Sequence, residues 1–343
     1  MTQLYALGLG IGTQNAKGEW LEVFYAKPIL APSEASARAV ANIVGYSEGN
    51  QAIAISNNQA SEIAQALTIA GDAEHAEIAK ALTNSKRPLV ATLLATDTNP
   101  ATVPEGYLKL HLLSHRLVKP HNTVLAGIFG VLPNVAWTNQ GAIDVNELPA
   151  RQLQARLNGE ELEVSCVDKF PKMTNYVVPK GVRVAHTARV RLGAYLGEGT
   201  TIMHEGFVNF NAGTEGPAMI EGRISAGVFV GAGSDLGGGS STMGTLSGGG
   251  NIVISVGKES LIGANAGIGI PLGDRCKVES GLYVTAGTKV VVLDEAGNEV
   301  KTLKARELAG VSDLVFRRNS ITGRVEVVTN KSALQLNTAL HAN

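Results

Sequence analysis

The most constraining feature of this chain is an aliphatic residue that returns at every sixth position in the middle of the sequence. The series runs Val178, Val184, Val190, Leu196, Ile202, Val208, Thr214 and Ile220. A second series, four residues further on at each step, holds Val182, Ala188, Ala194, Thr200, Gly206, Ala212, Ala218 and Ile224. No amphipathic helix or ordinary strand has this period. Short strands coiled into a parallel β-helix do, because one aliphatic side chain per strand points inward and a small residue lines each corner.

The repeat continues beyond Ile220 in shifted registers. Its later members are Val230 and Leu236, then, after a glycine-rich stretch, Val256, Ile262 and Ile268, and finally Leu272, Val278, Val284 and Val290. We expect the two shifts to be two insertions in the coil. Residues 193–287 hold 24 of the 40 glycines, which suits a backbone that turns a corner every few residues. The alternative is a glycine-rich disordered linker, but a linker would not keep aliphatic residues in phase.

Composition narrows the class of protein. At 343 residues, of which 44% are hydrophobic, the chain can form two or three domains with their own cores. Its 29 basic and 30 acidic residues give a net charge of −1, so we expect neither nucleic acid nor a membrane as partner. Cys166 and Cys276 are too few for a disulfide framework and lack metal-ligand spacing. With no visible leader and no membrane-length apolar segment, we expect a cytoplasmic protein.

Residues 1–175 predict a mixed α/β domain. Short apolar runs predict strands at 4–12, 21–26, 51–56, 88–95 and 162–167, and helical spacing predicts helices at 33–44, with Ser33 as the cap, 59–70, 73–83 and 107–117. The first run contains Gly8, Gly10 and Gly12, which do not have the GxGxxG spacing of a dinucleotide loop. We therefore expect a strand with bulges there.

Residues 176–292 form the predicted β-helix, and residues 293–343 predict a small α+β cap. The cap reads as a hairpin turned at 295–298, a short helix, strands at 314–320 and 323–330, and a helix over 332–343. Arg317 and Arg318, with Lys301 and Lys304 upstream, could bind a polyanion or could form a solvated charged face. The predicted fold is thus mainly β, with an α/β domain before the coil and the cap after it.

Several long segments resemble one family of enzymes. In the coil and cap they are MHEGFVNFNAGT (203–214), IEGRISAGVFVG (220–231), MGTLSGGG (243–250), LIGANAGIGIPLGDR (261–275), GLYVTAGTKV (281–290) and FRRNS (316–320). In the N-terminal part they are GTQN, WLEVFYA, YLKLHLLSHRLVKPH and LPNVAWTNQGA. Together they resemble the longer bacterial branch of the tetrahydrodipicolinate N-succinyltransferase family. The resemblance implies a homotrimer of left-handed β-helices, which departs from the usual right-handed crossover. It also implies succinyl transfer from succinyl-CoA to the amine of ring-opened tetrahydrodipicolinate, in the succinylase route to diaminopimelate and lysine.

Acyl transfer from a thioester needs few groups, because the acyl carbon is already activated. The enzyme must hold it near the amine, remove a proton and stabilise an oxyanion. Glu221 and Arg223 follow an inward aliphatic residue, so both should emerge from one corner of the coil. The resemblance implies that Glu221 is the nucleophile that forms an acyl anhydride and that Arg223 contacts the succinyl carboxylate. A general-base role for Glu221 satisfies the chemistry equally, and a local ion pair is the structural alternative.

For succinyl-CoA, the resemblance implies contacts at a further set of residues: Gly238, Ser241, Ala264, Glu279, Ser280, Gly287, Lys304, Arg317, Arg318, Asn319 and Ser320. Small residues would let an extended pantetheine approach the backbone closely. The cations of the set would bind the phosphates. Lys172, Arg189 and Arg191 are candidates for the carboxylates of the acceptor.

No cofactor is expected to be obligatory, although some relatives hold magnesium near the threefold axis. The glutamate that matches there is Glu205, but His186, Thr187 and Ala188 replace the upstream aspartate, and a hard cation prefers carboxylate oxygen. Three symmetry-related copies of Glu205 could still hold one ion. His204 resembles the catalytic histidine of related acetyltransferases, but a structural histidine is favoured because Glu221 fills that role.

Three other functions use the same coil. One is a different hexapeptide acyltransferase, with an acetyl donor and another amine as acceptor. An acetyl group has no carboxylate for Arg223 to bind. The others are a structural β-helix and a zinc carbonic anhydrase. The anhydrase needs three clustered histidines, whereas the repeat contains only His186 and His204.

Overall fold

The protein divides into two compact units. A computed structural model describes residues 3–244 and 252–329, so the predicted helix over 332–343 lies outside the described residues. The first unit comprises Met1–Pro171 and Asn175–Val177, and the second comprises Lys172–Thr174 and Val178–Asn343. The described residues include no helix with the length and apolar character needed to cross a bilayer.

The N-terminal unit is α/β, as the sequence predicts. Its strands are β1 Ala6–Gln14, β2 Trp20–Phe24, β3 Ile29–Leu30, β4 Asn50–Ile55, β5 Leu89–Leu94, β6 Val135–Thr138, β7 Gly141–Asp144 and β8 Val164–Asp168. Its helices are α1 Glu34–Val44, α2 Asn57–Ile69, α3 Ala73–Leu82, α4 Val103–Ser114, α5 Ile128–Val131 and α6 Leu148–Leu157. One sheet has the order β2-β1-β5-β4 with β3 paired to β1, and a second has the order β7-β6-β8. Leu7, Val40, Ile63 and Leu93 pack in one buried cluster, which joins helices and sheet.

The three early glycines lie in a strand and form no nucleotide loop. Gly8, Gly10 and Gly12 all lie in β1. A Cβ at Gly8 would approach the Tyr25 ring to 2.6 Å, and one at Gly10 would approach Val23 to 2.5 Å. The register shifts at the end of the strand. The prediction of an irregular strand is confirmed, and close packing across the sheet explains the glycines.

The second unit is a parallel coil with three faces, and from residue 194 to residue 269 successive strands visit the faces in turn. Face 1 holds β9 Arg183–Val184, β11 Thr200–Ile202, β14 Ala218–Ile220, β17 Ser234–Leu236, β20 Leu261–Ile262 and β22 Lys277–Val278. Face 2 holds β12 Phe207–Val208, β15 Arg223–Ile224, β18 Ser241–Thr242, β21 Gly267–Gly269 and β23 Tyr283–Thr285. Face 3 holds β10 Ala194–Leu196, β13 Ala212–Thr214, β16 Phe229–Val230 and β19 Ser255–Val256.

The inward positions follow the sixfold repeat from Val190 onward. Val190, Leu196, Ile202 and Val208 are fully buried, and the later members of the series stay buried through Val290. The first coil is different, since Val178 is 69% exposed and Ala188 is also exposed. The prediction that these two residues line the core is therefore wrong. The physical reason is that β9 is the outermost strand of its face, so no earlier coil covers this end.

Only one of the two predicted insertions exists. Ile202 pairs with Ile220, eighteen residues later, but Ile220 pairs with Leu236, sixteen residues later. The first shift is therefore a coil two residues short, because the next inward residue after Ile220 is Ile224 and not a residue six away. Leu236 pairs with Ile262, twenty-six residues later, so the second shift is an insertion. Residues 245–251 of that insertion lie outside the described part of the chain.

The C-terminal strands extend face 1. They are β24 Lys289–Leu293, β25 Glu299–Lys304, β26 Leu314–Arg318 and β27 Val325–Thr329. The predicted hairpin joins β24 to β25, the predicted short helix is a 3-10 helix at Ala305–Leu308, and β26 pairs with β22. The division into three domains, at residues 1–175, 176–292 and 293–343, remains our proposal.

Candidate active site

One corner of the coil gathers six of the fourteen predicted site residues. We call this corner, where face 1 turns into face 2, the corner column; it consists of residues 203–206, 221–222, 237–240, 263–266 and 279–282. Backbone hydrogen bonds join each level to the next: Met203 to Ile220, Glu221 to Leu236, Gly237 to Ile262 and Gly263 to Val278, at 2.8 to 2.9 Å from N–H to carbonyl oxygen. The coil thus brings Glu221, Gly238, Ala264 and Glu279 into one row, although they span 59 positions of sequence.

Glu221 lies on the short turn of the column and is half-buried. Its backbone N–H donates to Leu236 and its carbonyl accepts from Gly239, so the main chain is fixed on both sides. No described residue lies within hydrogen-bond or ion-pair distance of its carboxylate. A Cβ at Gly238 would lie 3.7 Å from Oε2 of Glu221. Glycine at this position therefore leaves open the space in front of a carboxylate that can act on a ligand.

Arg223 begins the strand that follows. It is exposed, whereas Ile224 beside it is fully buried. Its N–H donates to the carbonyl oxygen of Ser240 over 2.7 Å, and it pairs in register with Ser241. Within the described part of the chain, the Arg223 guanidinium has no ion pair with Glu221. The alternative of a local ion pair is therefore not what the structure contains, and both charges face outward for use by a ligand.

The tight turn depends on glycine at two positions. A Cβ at Gly222 would lie 2.0 Å from Oγ of Ser240, a buried hydroxyl with no hydrogen-bond partner in the described part of the chain. Gly239 has a φ of +69°, and a Cβ there would lie 2.3 Å from Oδ1 of Asn265. Asn265 itself adopts a φ of 55°. Sequence analysis missed Ser240 and Asn265, which set the shape of the column through its glycines.

The upper end of the column meets the last strands. Ala264, Glu279 and Ser280 are exposed there. Oε2 of Glu279 accepts the backbone N–H of Arg318 over 2.6 Å, so Glu279 positions β26 and its neighbouring cation beside the column. Arg317 is paired with Glu326, and the side chain of Asn319 donates to the same Glu326. Ser320 is exposed in the turn that follows.

Gly287 and Lys304 lie together on a different corner, beyond the far end of β23. Ala305 donates its N–H to the carbonyl of Thr288 over 2.8 Å, and Lys304 pairs in register with Lys289. Both lysines are exposed. Like charges opposite one another on adjacent strands are destabilising, so this pair favours an anionic ligand. Sequence analysis missed Lys289, although its place in the sixfold segment, next to the inward Val290, was a usable signal.

The candidates for the acceptor carboxylates lie at the lower end of the coil. Arg189 donates to the backbone carbonyls of Glu205 and Gly206 at 2.8 and 3.0 Å, so it supports the lowest level of the column. The Arg191 side chain donates to Oδ1 of Asn209 over 3.1 Å. The backbones of Arg191 and Lys172 form an isolated antiparallel β-bridge. The structure thus brings Lys172 and Arg191 together, whereas the guanidinium of Arg189 is hydrogen-bonded to main-chain carbonyls.

Glu205 is exposed on the lowest level of the column. In the part of one chain that the structure describes, no three His, Cys, Asp or Glu side chains cluster as metal ligands. One carboxylate supplies at most two of the six or more oxygen ligands that a hard divalent cation takes, so a metal at Glu205 would need the symmetry-related copies of this residue as well. We therefore derive no step of the reaction through a metal.

A three-faced parallel coil with an available carboxylate, glycines and cations on one corner defines a hexapeptide-repeat acyltransferase. The profile described as "Tetrahydrodipicolinate N-succinyltransferase middle" matches residues 132–172, and that described as "Hexapeptide repeat of succinyl-transferase" matches residues 253–286. The 2,3,4,5-tetrahydropyridine-2,6-dicarboxylate N-succinyltransferase of Pseudomonas putida is 69% identical over 340 residues, 99% of this chain and 98% of the relative. The Vibrio cholerae protein of that name is 62% identical and covers 99% of both chains.

A solved structure is similar in fold as well. It is a Campylobacter jejuni chain to which a 2,3,4,5-tetrahydropyridine-2-carboxylate N-succinyltransferase activity is ascribed, with a TM-score of 0.89 and 32% identity. The alignment covers 97% of this chain and 94% of that one. This chain belongs to the tetrahydrodipicolinate N-succinyltransferase family. The predicted family, and with it the predicted acyltransferase class, is confirmed.

Proposed function

We propose that this enzyme moves the succinyl group of succinyl-CoA to the amine of ring-opened tetrahydrodipicolinate, in the diaminopimelate route to lysine. The observation that carries the proposal is the carboxylate of Glu221, which faces the space left by Gly238 with Arg223 two residues along the same chain segment. The names of the relatives support a succinyl donor over the acetyl-donor alternative. An exposed arginine beside Glu221 fits a donor whose acyl group ends in a free carboxylate.

Glu221 would serve the transfer in one of two ways. As a nucleophile, its oxygen attacks the thioester carbon, the C–S bond breaks and the coenzyme leaves as a thiolate. The acceptor amine then attacks the succinyl carbon of the resulting anhydride. The Glu221 carboxylate leaves, and the nitrogen loses a proton to solvent. As a general base, Glu221 takes the proton of the amine while nitrogen attacks the thioester carbon directly, after which the C–S bond breaks and the coenzyme leaves as a thiolate. In both cases Arg223 holds the distal succinyl carboxylate, so the reacting carbon lies at the corner.

Coenzyme A would lie along the corner column. Its pantetheine passes Gly238, Ser241 and Ala264, where small side chains allow close approach to the backbone. Its phosphates meet the cations at the upper end, Arg317 and Arg318, with Glu279, Ser280, Asn319 and Ser320 forming the surrounding surface. Lys304 and Gly287 would bind another part of the coenzyme, on the corner beyond β23.

We further propose that the coil is left-handed, that the enzyme is a homotrimer and that it works in the cytoplasm. The outward positions of faces 1 and 2 include large apolar residues, with Met219 at 41%, Leu261 at 44% and Tyr283 at 51% exposure in the single chain. Residues of this kind favour burial against another subunit. Sedimentation at assay concentration tests the assembly, because a trimer has three times the mass of the 35.7 kDa chain and an active monomer would contradict the proposal.

The donor and the acceptor are tested in one assay. Purified enzyme mixed with succinyl-CoA should release free thiol only when the acceptor, or its open-chain analogue 2-aminopimelate, is present. The same assay with acetyl-CoA is the control for donor choice. Faster release from acetyl-CoA than from succinyl-CoA would contradict the proposed function and favour the alternative.

A further inference from the structure

The N-terminal unit contains a pocket built around a buried carboxylate. The pocket has a volume of about 310 Å³, and its walls include Ile11, Glu22, Phe24, Arg87, Trp137 and Tyr176. Glu22 lies in β2 and is only 6% exposed. None of these residues belongs to the corner column, and succinyl transfer uses none of them. A concave, largely apolar site with a few polar groups is the usual form of a small-molecule site.

Among the described residues, the Glu22 carboxylate accepts two side-chain hydrogen bonds, both from neutral hydroxyls. Thr13 donates to Oε1 over 2.6 Å, and Tyr176 donates to Oε2 over 3.0 Å. A carboxylate offers about four acceptor positions, so about two remain. Among the described residues no cation lies within ion-pair distance of Glu22. Burial raises the pKa of its carboxyl, and the more distant charge of Arg87 offsets only part of that rise. Burying a carboxylate without a paired cation costs free energy, and a positively charged ligand would offset that cost.

A cation lies on the rim of the same pocket. The Arg87 side chain donates to Oγ of Thr13 over 3.3 Å, so Thr13 connects the carboxylate and the guanidinium through two hydrogen bonds. A Cβ at Gly141 would lie 3.4 Å from Nη2 of Arg87, which shows that the arginine packs close to the backbone there. The exposed guanidinium keeps N–H groups that can donate to both oxygens of a carboxylate, in the forked geometry typical of arginine.

We propose that this pocket binds one zwitterionic α-amino acid with an apolar side chain. Its ammonium group contacts Glu22, its carboxylate contacts Arg87, and its side chain packs against Phe24 and Trp137. The two charged groups of an α-amino acid are neighbours, as are the two protein groups that Thr13 connects. Aromatic rings beside the carboxylate favour an ammonium group as well, through their negative faces.

Matched ligands test the proposal on the full-length protein. L-leucine and L-valine should bind in isothermal titration calorimetry with dissociation constants of about 1 mM or lower. Leucine without its carboxylate is 3-methylbutylamine, and leucine without its amine is 4-methylpentanoate. Each should bind at least about tenfold more weakly, since each lacks one charge-assisted contact. Absence of binding by both amino acids would overturn the proposal, as would equal binding of leucine and either analogue.

Matched variants test the two residues. Glu22→Gln and Arg87→Gln should each weaken leucine binding at least about tenfold, whereas Glu62→Gln and Lys86→Gln, which change exposed charges outside this pocket, should not. Arg87 is exposed, so its loss does not threaten folding. Trp137 fluorescence in a Trp20→Phe background gives a second readout of occupancy. Unchanged binding in Glu22→Gln or in Arg87→Gln would overturn the proposal, and succinyl transfer without added amino acid should stay normal in both.

Discussion

Arg317 and Glu326 form a two-point ion pair across adjacent strands, with Nε and Nη2 of the arginine both 3.1 Å from Oε2 of the glutamate. Glu326 is 7% exposed, so its charge depends on this partner and on Asn319. Within residues 3–244 and 252–329, the side chain of the neighbouring Arg318 donates only to the carbonyl of Gly323, over 2.9 Å. The two arginines of the FRRNS segment are therefore different, although the sequence presents them as a pair.

Substitution of the two arginines should separate stability from ligand binding. Arg317→Gln should lower the free energy of unfolding by about 1–3 kcal/mol, because a buried carboxylate loses its cation. Arg318→Gln should change it by no more than about 0.5 kcal/mol. Both should weaken succinyl-CoA binding by about tenfold or more if they contact phosphates. Denaturant titration and coenzyme titration at fixed salt measure the two effects, and unchanged affinity in both variants would identify a solvated charged face.

Glu221→Gln should keep the fold and coenzyme binding but lose turnover. The amide preserves the shape of the side chain and removes the charge that serves as nucleophile or base, so we expect a loss of at least about 10²–10⁴-fold in kcat. Glu259→Gln, an exposed and equally conservative change on another corner of the coil, is the control. Near-normal turnover would exclude both roles. A labelled succinyl group recovered on Glu221 would favour the anhydride over the general base.

Gly222→Ala should damage the corner column. The new methyl group would lie 2.0 Å from Oγ of Ser240 and 2.6 Å from its carbonyl oxygen, and overpacking of this kind costs about 1–3 kcal/mol. Hydrogen exchange of the peptides that cover residues 220–242 should increase, and turnover should fall with it. Gly130→Ala, where no atom lies within 4 Å of the new methyl, should change neither quantity. Unchanged exchange in Gly222→Ala would show that the turn adapts without strain.

The stability of the N-terminal unit should fall in acid because of His111. This histidine is fully buried, accepts the N–H of Tyr25 over 3.2 Å and contacts the carbonyl of Tyr107 over 2.8 Å. Burial lowers its pKa to about 3, whereas an unfolded histidine has a pKa of about 6.5. Its contribution to stability is therefore complete above about pH 6.5 and is lost as the pH falls from there towards 3.

Fluorescence can follow this loss specifically, because both tryptophans, Trp20 and Trp137, lie in the N-terminal unit. The midpoint of thermal unfolding should decrease between pH 7 and pH 4. His111→Gln should flatten that decrease, whereas His204→Gln, an exposed histidine of the coil, should leave it unchanged. An equally steep decrease in His111→Gln would assign the acid sensitivity to other groups.

The sequence predicted the coil well because its period is strict. Most inward positions from Val190 to Val290 could be assigned, since each six-residue step has one inward aliphatic residue and no competing pattern has that spacing. The exceptions are Ile224, which was assigned to the corner series, and Thr242, which was not assigned, although both are buried. The four-residue step from Ile220 to Ile224 could not be recognised as a short coil. A shortened turn and an insertion both shift the phase of the sixfold aliphatic series, so the sequence does not distinguish them. α4 begins at Val103 and not at 107, because Thr102 caps it and Pro104 occupies its first turn.

The site was predicted by resemblance more than by residue chemistry. Glu221 and Glu279 look alike in sequence, but the carboxylate of Glu221 has no partner among the described residues, whereas that of Glu279 accepts the backbone N–H of Arg318. Such differences depend on contacts between distant segments, which periodicity does not contain. The pocket around Glu22 was missed for the same reason, since Glu22, Arg87 and Trp137 come from three separate strands or loops.

The last prediction concerns the two groups of coenzyme residues. Arg318 and Glu279 meet at the corner column, before β23, whereas Lys304 lies on the corner beyond β23. If the site is shared, Lys304 of one subunit and Glu221 of its neighbour act on the same coenzyme.

Glu221→Gln and a Lys289→Ala, Lys304→Ala double variant should each be inactive as homotrimers. After equal amounts are unfolded together and reassembled, about a quarter of the sites should combine two intact halves, since closed symmetric assembly pairs subunits at random. Activity near a quarter of the wild-type value would support shared sites. Mixtures that stay inactive, although sedimentation shows reassembled trimers, would place both groups of residues in one chain's own site.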